Sequence, residues 1–451
     1  MTGIIEAWKG ERVYLEDDVT ASDGRLVTRK YKKLPIKTAI PSFQEAEVKE
    51  YFDVLKPVSN GAETADVTVL EIPRDIAATE VSLSSKNPNT SISLTILNKT
   101  LPQTSVFPMY SEVSSERSMY PKILVRGENI EDRNSKDKII RDKWWDKYES
   151  FQGPQTLKAI NLARQFGIEP TKQAISFFNL TDYGKYRYDK LVIENAIAPP
   201  LIWCGDLLDK QSIKPDQRVE WLRKINDIVP DDSLAYCADE TGTIGMSVEN
   251  AMEIIKLVRE NAPKLRPMVT CSPRLFYRDY DGIFDAETIR SLEIVFAPVQ
   301  NIDNLPIDLY PKKENSRFRK GSYFSCMAQG NCFNKVNSDC VDKRTEFPVA
   351  VVEGDPVNDF QRSIRLAYEN QADFVLYYML NKRTHKCWDK KSIQDTGIGI
   401  YSEGGNGDGT AMYYNPTEGP DEDGEPWPSV RMMHWDIARQ QIEKEILDKQ
   451  I

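Results

Sequence analysis

Two adjacent carboxylates, Asp239 and Glu240, end the apolar run Leu234-Ala-Tyr-Cys-Ala238 and are followed by Thr241-Gly242. Residues of this type at this spacing suit acid/base chemistry. Neighbouring carboxylates repel, which raises the proton affinity of at least one, and a general acid near neutral pH needs that. The run is too short for a helix and follows the turn signal Pro230-Asp-Asp-Ser, so it reads as a buried strand. Ser247 then caps a predicted helix whose Val248, Met252, Ile255 and Val258 share one face. This places the acid pair in the loop between strand and helix. In parallel α/β architectures that edge of the sheet is where active sites are built. A solvated acidic loop is the bland alternative for an Asp-Glu pair.

The elements that would position the pair follow from the apolar pattern. Up to about Thr104 the chain reads as β-rich, with runs at Ala65–Leu70, Val81–Leu83 and Ile92–Leu97, and a small antiparallel sandwich is expected over residues 1–104. Leu101-Pro-Gln-Thr is the linker out of it. From residue 105 to 451, short apolar runs alternate with amphipathic segments, the signature of βα units. Candidate strands are Ser105–Val113, Gln173–Phe178, Leu201–Cys204, Leu234–Ala238, Pro267–Cys271, Ile294–Val299, Ser322–Met327 and Phe374–Leu380. Helices are expected near Leu157–Phe166 with Gly167 as its stop, Pro215–Ile228, Val248–Glu260, Asp285–Leu292 and Asp359–Asn370. The predicted fold is a (β/α)8 TIM barrel carrying the small sandwich-like N-terminal domain. A doubly wound open sheet is the competing reading, but no glycine-rich phosphate loop follows an early strand.

In this arrangement the acid pair closes the fourth strand. The same edge gathers Asn179, Asp182, Trp203, Asp206, Tyr323, Tyr378 and Asn381. Aromatic faces and hydrogen-bonding groups around an acid pair are what a sugar needs: a surface to stack on and partners for its hydroxyls. Tyr236 and Tyr377 could point to either face of their strands. After the last strand, Gly404-Gly-Asn-Gly-Asp408-Gly is a turn-dense loop whose backbone can approach a ligand. The final segment, Pro428 to Asp448, reads as an amphipathic helix on the outside of the barrel.

Composition narrows the chemistry. A net charge of −10 and the acidic stretch Glu418–Glu425 argue against nucleic acid, which needs clustered Lys and Arg. No run approaches the length of a membrane span, and the first residues lack a signal-peptide layout, so a soluble chain with export undetermined is expected. Only His385 and His434 could serve a Ser-His-Asp or Cys-His mechanism, which leaves carboxylate chemistry as the main option. Cys326, Cys332 and Cys340 match no zinc spacing, so neither a metal nor a cofactor is expected.

Several of these pieces together resemble glycoside hydrolase family 123, the substrate-assisted β-N-acetylgalactosaminidases, over roughly residues 105–440. The resemblance rests on Tyr236-Cys-Ala-Asp239-Glu240, Ala372-Asp-Phe-Val-Leu-Tyr-Tyr378, Gly405-Asn-Gly-Asp-Gly409 with Met412-Tyr-Tyr-Asn-Pro416, and Pro428-Ser-Val-Arg431. Thr241 stands where the family commonly has Pro, and Tyr378 where it has Trp. The resemblance implies retaining hydrolysis of a β-linked N-acetylhexosamine, galactosamine favoured, with no protein nucleophile. Asp239 would hold the acetamido N–H and stabilise the oxazolinium ion, and Glu240 would be acid and then base. Trp203, Tyr323, Tyr378, Asn381 and Asp408 would contact the glycan. The alternative is a non-catalytic carbohydrate-binding or assembly component, its N-terminal domain docking the chain to a larger complex.

Overall fold

The computed structural model describes residues 2–33, 53–58, 64–85, 91–113, 137, 139–140, 143–144, 157–171, 173–175, 201–208, 215–231, 233–241, 246–271, 293–296, 320–324, 356–377, 380, 401–402, 405–406, 411–414 and 426–450. The N-terminal part holds two four-stranded sheets. One is β1 (Thr2–Lys9), β8 (Ser91–Thr100), β7 (Thr79–Ser85) and β3 (Val19–Ala21) in that order, and the other is β2 (Arg12–Leu15), β6 (Val67–Glu71), β4 (Val27–Lys33) and β5 (Leu55–Pro57). Alternating apolar residues send Ala7, Val19, Val81, Leu83, Leu94 and Ile96 of the first sheet against Val13, Leu15 and Leu70 of the second, forming one core. The pair is sandwich-like, though not wholly antiparallel as expected, because β1 runs parallel to β8. Leu101, read as linker, is buried and its N–H donates to Lys9 O at 2.9 Å.

The remainder is built on a nine-stranded parallel sheet. Its order is β10 (Ile168–Thr171), β9 (Met109–Glu112), β17 (Phe374–Tyr377), β16 (Lys320–Phe324), β15 (Glu293–Phe296), β14 (Leu265–Cys271), β13 (Ser233–Thr241), β12 (Leu201–Trp203) and β11 (Gln173–Ile175). This corrects the expected (β/α)8 TIM barrel. Among the described residues the sheet has nine strands instead of eight, no ladder joins its end strands β10 and β11, and the helices are too few to follow every strand. Apolar alternation announces parallel strands and crossovers, whereas closure depends on strand tilt and shear, which leave no trace in periodicity. The uncounted strand is β10, whose Ile-Glu-Pro-Thr run is interrupted by proline. Pro170 is tolerated because β10 is bonded on one side only, so the missing N–H deprives no ladder. The two end strands adjoin in sequence, with Lys172 between them.

Described helices are α1 (157–165), α2 (Pro215–Ile228), α3 (Val248–Asn261), α4 (Arg362–Glu369) and α5 (Val430–Asp448). Gly167, at φ +66°, stops α1. Ser247 caps α3 by accepting from Asn250 N–H at 3.3 Å, and Ala251, Ile254, Ile255 and Val258 form its buried face. A six-residue π-helical stretch, Pro356–Gln361, leads into α4. The expected helix at 285–292 lies outside the described residues.

Helix α5 departs from its reading as an amphipathic helix on the outside. Eleven of its residues from Arg431 to Glu443 are buried, charged ones included. It lies between the second N-terminal sheet and the helix-covered face of the parallel sheet. The charges are tolerated because they are paired there. Asp436 accepts from Arg12 at 2.6 and 2.8 Å, from Arg439 at 2.8 Å and from the Tyr14 hydroxyl at 2.7 Å. Burial pushes the Asp436 carboxyl up, but Arg12 and Arg439 outweigh it and hold the group below its ordinary value. Arg431, fully buried, donates to Asp53 at 2.8 Å and to the Tyr377 hydroxyl at 3.3 Å.

Candidate functional site

The parallel sheet has two differently populated faces. Met109, Ile168, Ile202, Ala235, Cys237, Val269, Val375 and Tyr377 join the large core beneath the helices. Leu234, Met268 and Phe374 form a separate cluster on the other face, with Tyr110, Tyr236 and Leu376 packed against it. Strand alternation produces both sets. Four strands separate β9 from β13 in the sheet order, yet Tyr110 and Tyr236 reach the same cluster, so the sheet curls strongly around this inner face. The two tyrosines that sequence left open now part company. Tyr236 faces inward, and Tyr377 faces α5, its ring 4.7 Å from that of Trp435.

Strand β13 is irregular where its two adjacent carboxylates lie. Tyr236 pairs with Met268, Ala238 with Val269 and Thr241 with Cys271, so β13 advances five residues while β14 advances three. One extra residue enters at Cys237, which is why Cys237 and Ala238 both belong to the helix-side core. A second enters between Ala238 and Thr241, leaving Asp239 and Glu240 together opposite Thr270. Bulges of this kind re-aim a strand and recur beside active sites. The acid pair thus belongs to the last residues of a strand at the carboxyl edge of the sheet, not to the following loop.

The neighbouring side chains are ordered around Tyr236. Its hydroxyl and that of Thr270 lie 2.8 Å apart, and its ring meets the Trp203 indole edge-on at 5.0 Å between centroids. Trp203 ends β12 in register with Tyr236. Gly205 is needed for that seat, because a Cβ there would lie 2.7 Å from the indole Cε2. Thr270 was missed in the sequence, and the only signal for it was its alternation with Met268 on β14. Tyr323 pairs with Leu376, an inner-face residue. Asn179, Asp182, Tyr378, Asn381 and Asp408 lie outside the described residues, as do Cys326, Cys332 and Cys340.

Within the glycine loop, Gly405–Asn406 pairs antiparallel with Tyr401–Ser402. Met412–Tyr414 pairs with Pro426–Pro428, and the N–H groups of Ala411 and Met412 donate to Leu380 O at 2.8 Å, just beyond β17. Cys204 and Cys237 are buried. Among the described residues no group of three or more His, Cys, Asp or Glu could hold a metal, and no helix is long and apolar enough to cross a membrane.

No family model and no curated protein matches the chain. Among solved structures it is similar to a GH10 xylanase from termite gut that contains a bacterial Ig-like domain, at 10% identity over 98% of this chain and 99% of that one, with a TM-score of 0.35. It is also similar to a β-D-glucuronidase for Dictyoglomus thermophilum, at 10% identity over 83% of this chain and 55% of that one, with a TM-score of 0.18. Likeness at this level carries no argument for activity.

Proposed function

We propose that the chain is a glycoside hydrolase acting on β-linked N-acetylhexosamine, galactosamine favoured, by substrate-assisted retaining hydrolysis. The observation that carries this reading is the double register break in β13, which sets Asp239 and Glu240 opposite one residue at the carboxyl edge of a parallel sheet. The edge-on Trp203–Tyr236 pair beside them supplies aromatic surface for a pyranose. The resemblance to glycoside hydrolase family 123 supports the division of roles. Asp239 orients the acetamido group, whose oxygen attacks the anomeric carbon, and Glu240 protonates the departing oxygen and then deprotonates the incoming water.

The test is hydrolysis of aryl β-N-acetylgalactosaminide and β-N-acetylglucosaminide by wild type, Glu240→Gln and Asp239→Asn. General acid–base assistance is worth about 10²–10⁴-fold, so Glu240→Gln should lower kcat by up to that range, most where the leaving group is poor, and Asp239→Asn should lower kcat by removing the group that orients the acetamido oxygen. Activity indifferent to both substitutions would show that the site is elsewhere. The second reading, a carbohydrate-binding or assembly component, draws on Arg431. This residue of the Ser-x-Arg element donates to Asp53 of the N-terminal part at 2.8 Å. That reading predicts glycan binding that survives both substitutions, without hydrolysis.

A further inference from the structure

The inner face of the curled sheet carries a third carboxylate at the same edge. Glu112 is the last residue of β9, two positions beyond Tyr110, and the burial of β9 alternates so that Met109 and Ser111 face the helices while Tyr110 and Glu112 do not. Its backbone is fixed on both sides: Leu380 N–H donates to Glu112 O at 3.0 Å, and the next residue, Val113, donates to Thr171 O at 3.2 Å. Thr171 is the register partner of Glu112 on β10. Ile168 and Pro170 alternate with it toward the helix side, which puts Thr171 beside Glu112 on the inner face. The Thr171 side chain is 2% exposed, and its hydroxyl has no hydrogen-bond partner among the described residues. A buried hydroxyl without a protein partner is unusual, and a bound hydroxyl group would supply one.

We infer that Glu112 and Thr171 form a hydroxyl-binding subsite for the pyranose ring whose glycosidic bond lies at Asp239 and Glu240. A carboxylate can accept from two neighbouring sugar hydroxyls at once, and the threonine hydroxyl can donate to or accept from a third. The Trp203 and Tyr236 rings lie on the same face and supply the stacking surface. Glu112 acts here by holding the ring in position, with the acid/base work left to the pair on β13. This inference rests on the glycosidase reading for its substrate.

The experiment measures Glu112→Gln, Thr171→Val and Thr171→Ser in the full chain. KM and kcat are read with 4-nitrophenyl N-acetyl-β-D-galactosaminide, Kd with N-acetylgalactosamine by calorimetry, and Tm without ligand. Glu112→Gln and Thr171→Val should raise KM and Kd by about 10- to 100-fold, the range of one hydrogen bond involving a charged partner, with a much smaller change in kcat. Thr171→Ser should retain most of the affinity. Thr171→Val should leave Tm equal or higher, because it removes a polar group that has no partner, whereas a structural hydroxyl would lower it. KM and Kd within twofold of wild type in both variants would overturn the subsite while leaving the reading of Asp239 and Glu240 intact. If the sugar binds but is not hydrolysed, the glycosidase reading falls and the Kd shifts alone decide the subsite. No binding of the sugar by wild type would overturn both.

Discussion

At the scale of single residues, the surroundings of the proposed site depend on small groups that make room for large ones. Gly205 lets the Trp203 indole lie against Tyr236, and a methyl there meets the ring directly. Gly205→Ala should therefore destabilise the protein by about 1–3 kcal/mol, the usual cost of overpacking, and displace the indole from its place against Tyr236. A smaller ring should relieve the clash, so Trp203→Phe/Gly205→Ala should melt higher than the sum of the single effects predicts. Thermal melts of the four proteins check this, and strict additivity would mean that the indole moves aside freely. Gly321 holds an equivalent place on β16, since a Cβ there would lie 3.1 Å from Cδ2 of Phe374 and closer to the far side of its ring.

At the scale of elements, α5 is the piece whose surroundings matter most. Ser429 caps it by accepting from Met432 N–H at 3.3 Å, and Asp53 O accepts from Val430 N–H at 2.7 Å. The Asp53–Arg431 pair then ties a segment of the N-terminal part to the first turn of the helix. Removing one member of a buried pair strands the other charge. Arg431→Met should cost about 3–5 kcal/mol, and Asp53→Leu/Arg431→Met should recover much of that loss. Urea unfolding of both variants measures it. A single variant as stable as wild type would show that the guanidinium contributes nothing beyond its packing.

At the scale of the whole molecule, the N-terminal sheets and the parallel sheet do not have wholly separate interiors. Tyr31, Leu55, Val67 and Val69 share one apolar cluster with Phe166, Met432 and Trp435. Asp436 sits in the same junction, held by Arg12 and Tyr14 from β2 and by Arg439 from its own helix. Gly167 fits against this group, where a Cβ would lie 2.6 Å from an Arg12 nitrogen. The carboxyl is held below its ordinary value of 3.8 in the folded chain. Its stabilising contribution is therefore complete above pH 3.8 and is lost as pH falls through the lower folded value. Acid titration followed by circular dichroism and by tryptophan fluorescence should show both signals falling together below that pH. Asp436→Asn should lower stability at neutral pH by about 3–5 kcal/mol, because Arg12 and Arg439 lose their counter-charge. Two separated transitions in wild type would mean that the two parts unfold independently.

The sequence by itself determined the parallel βα character of residues beyond 105, most strand positions, the Ser247 cap and the Gly167 stop, because these follow from local periodicity and turn chemistry. It also marked Asp239-Glu240 as the place where acid/base groups meet the end of a strand. It undercounted the strands at β10, where a proline hid the pattern, and it expected a closed barrel because alternation says nothing about tilt or shear. Tertiary structure alone decided which face of β13 and β17 each tyrosine takes, since a period of two fixes that residues alternate but not which set faces the helices. It alone inserted two extra residues into β13 opposite β14, a matter of register between strands that neither strand encodes separately. The same holds for Glu112 and Thr171, which lie 59 positions apart in the chain and become neighbours only through the pairing of β9 with β10. Helix α5 is the clearest case: its charges read as a solvated face until the partners that bury them, Asp53, Arg12 and Tyr14, arrive from more than 370 residues away.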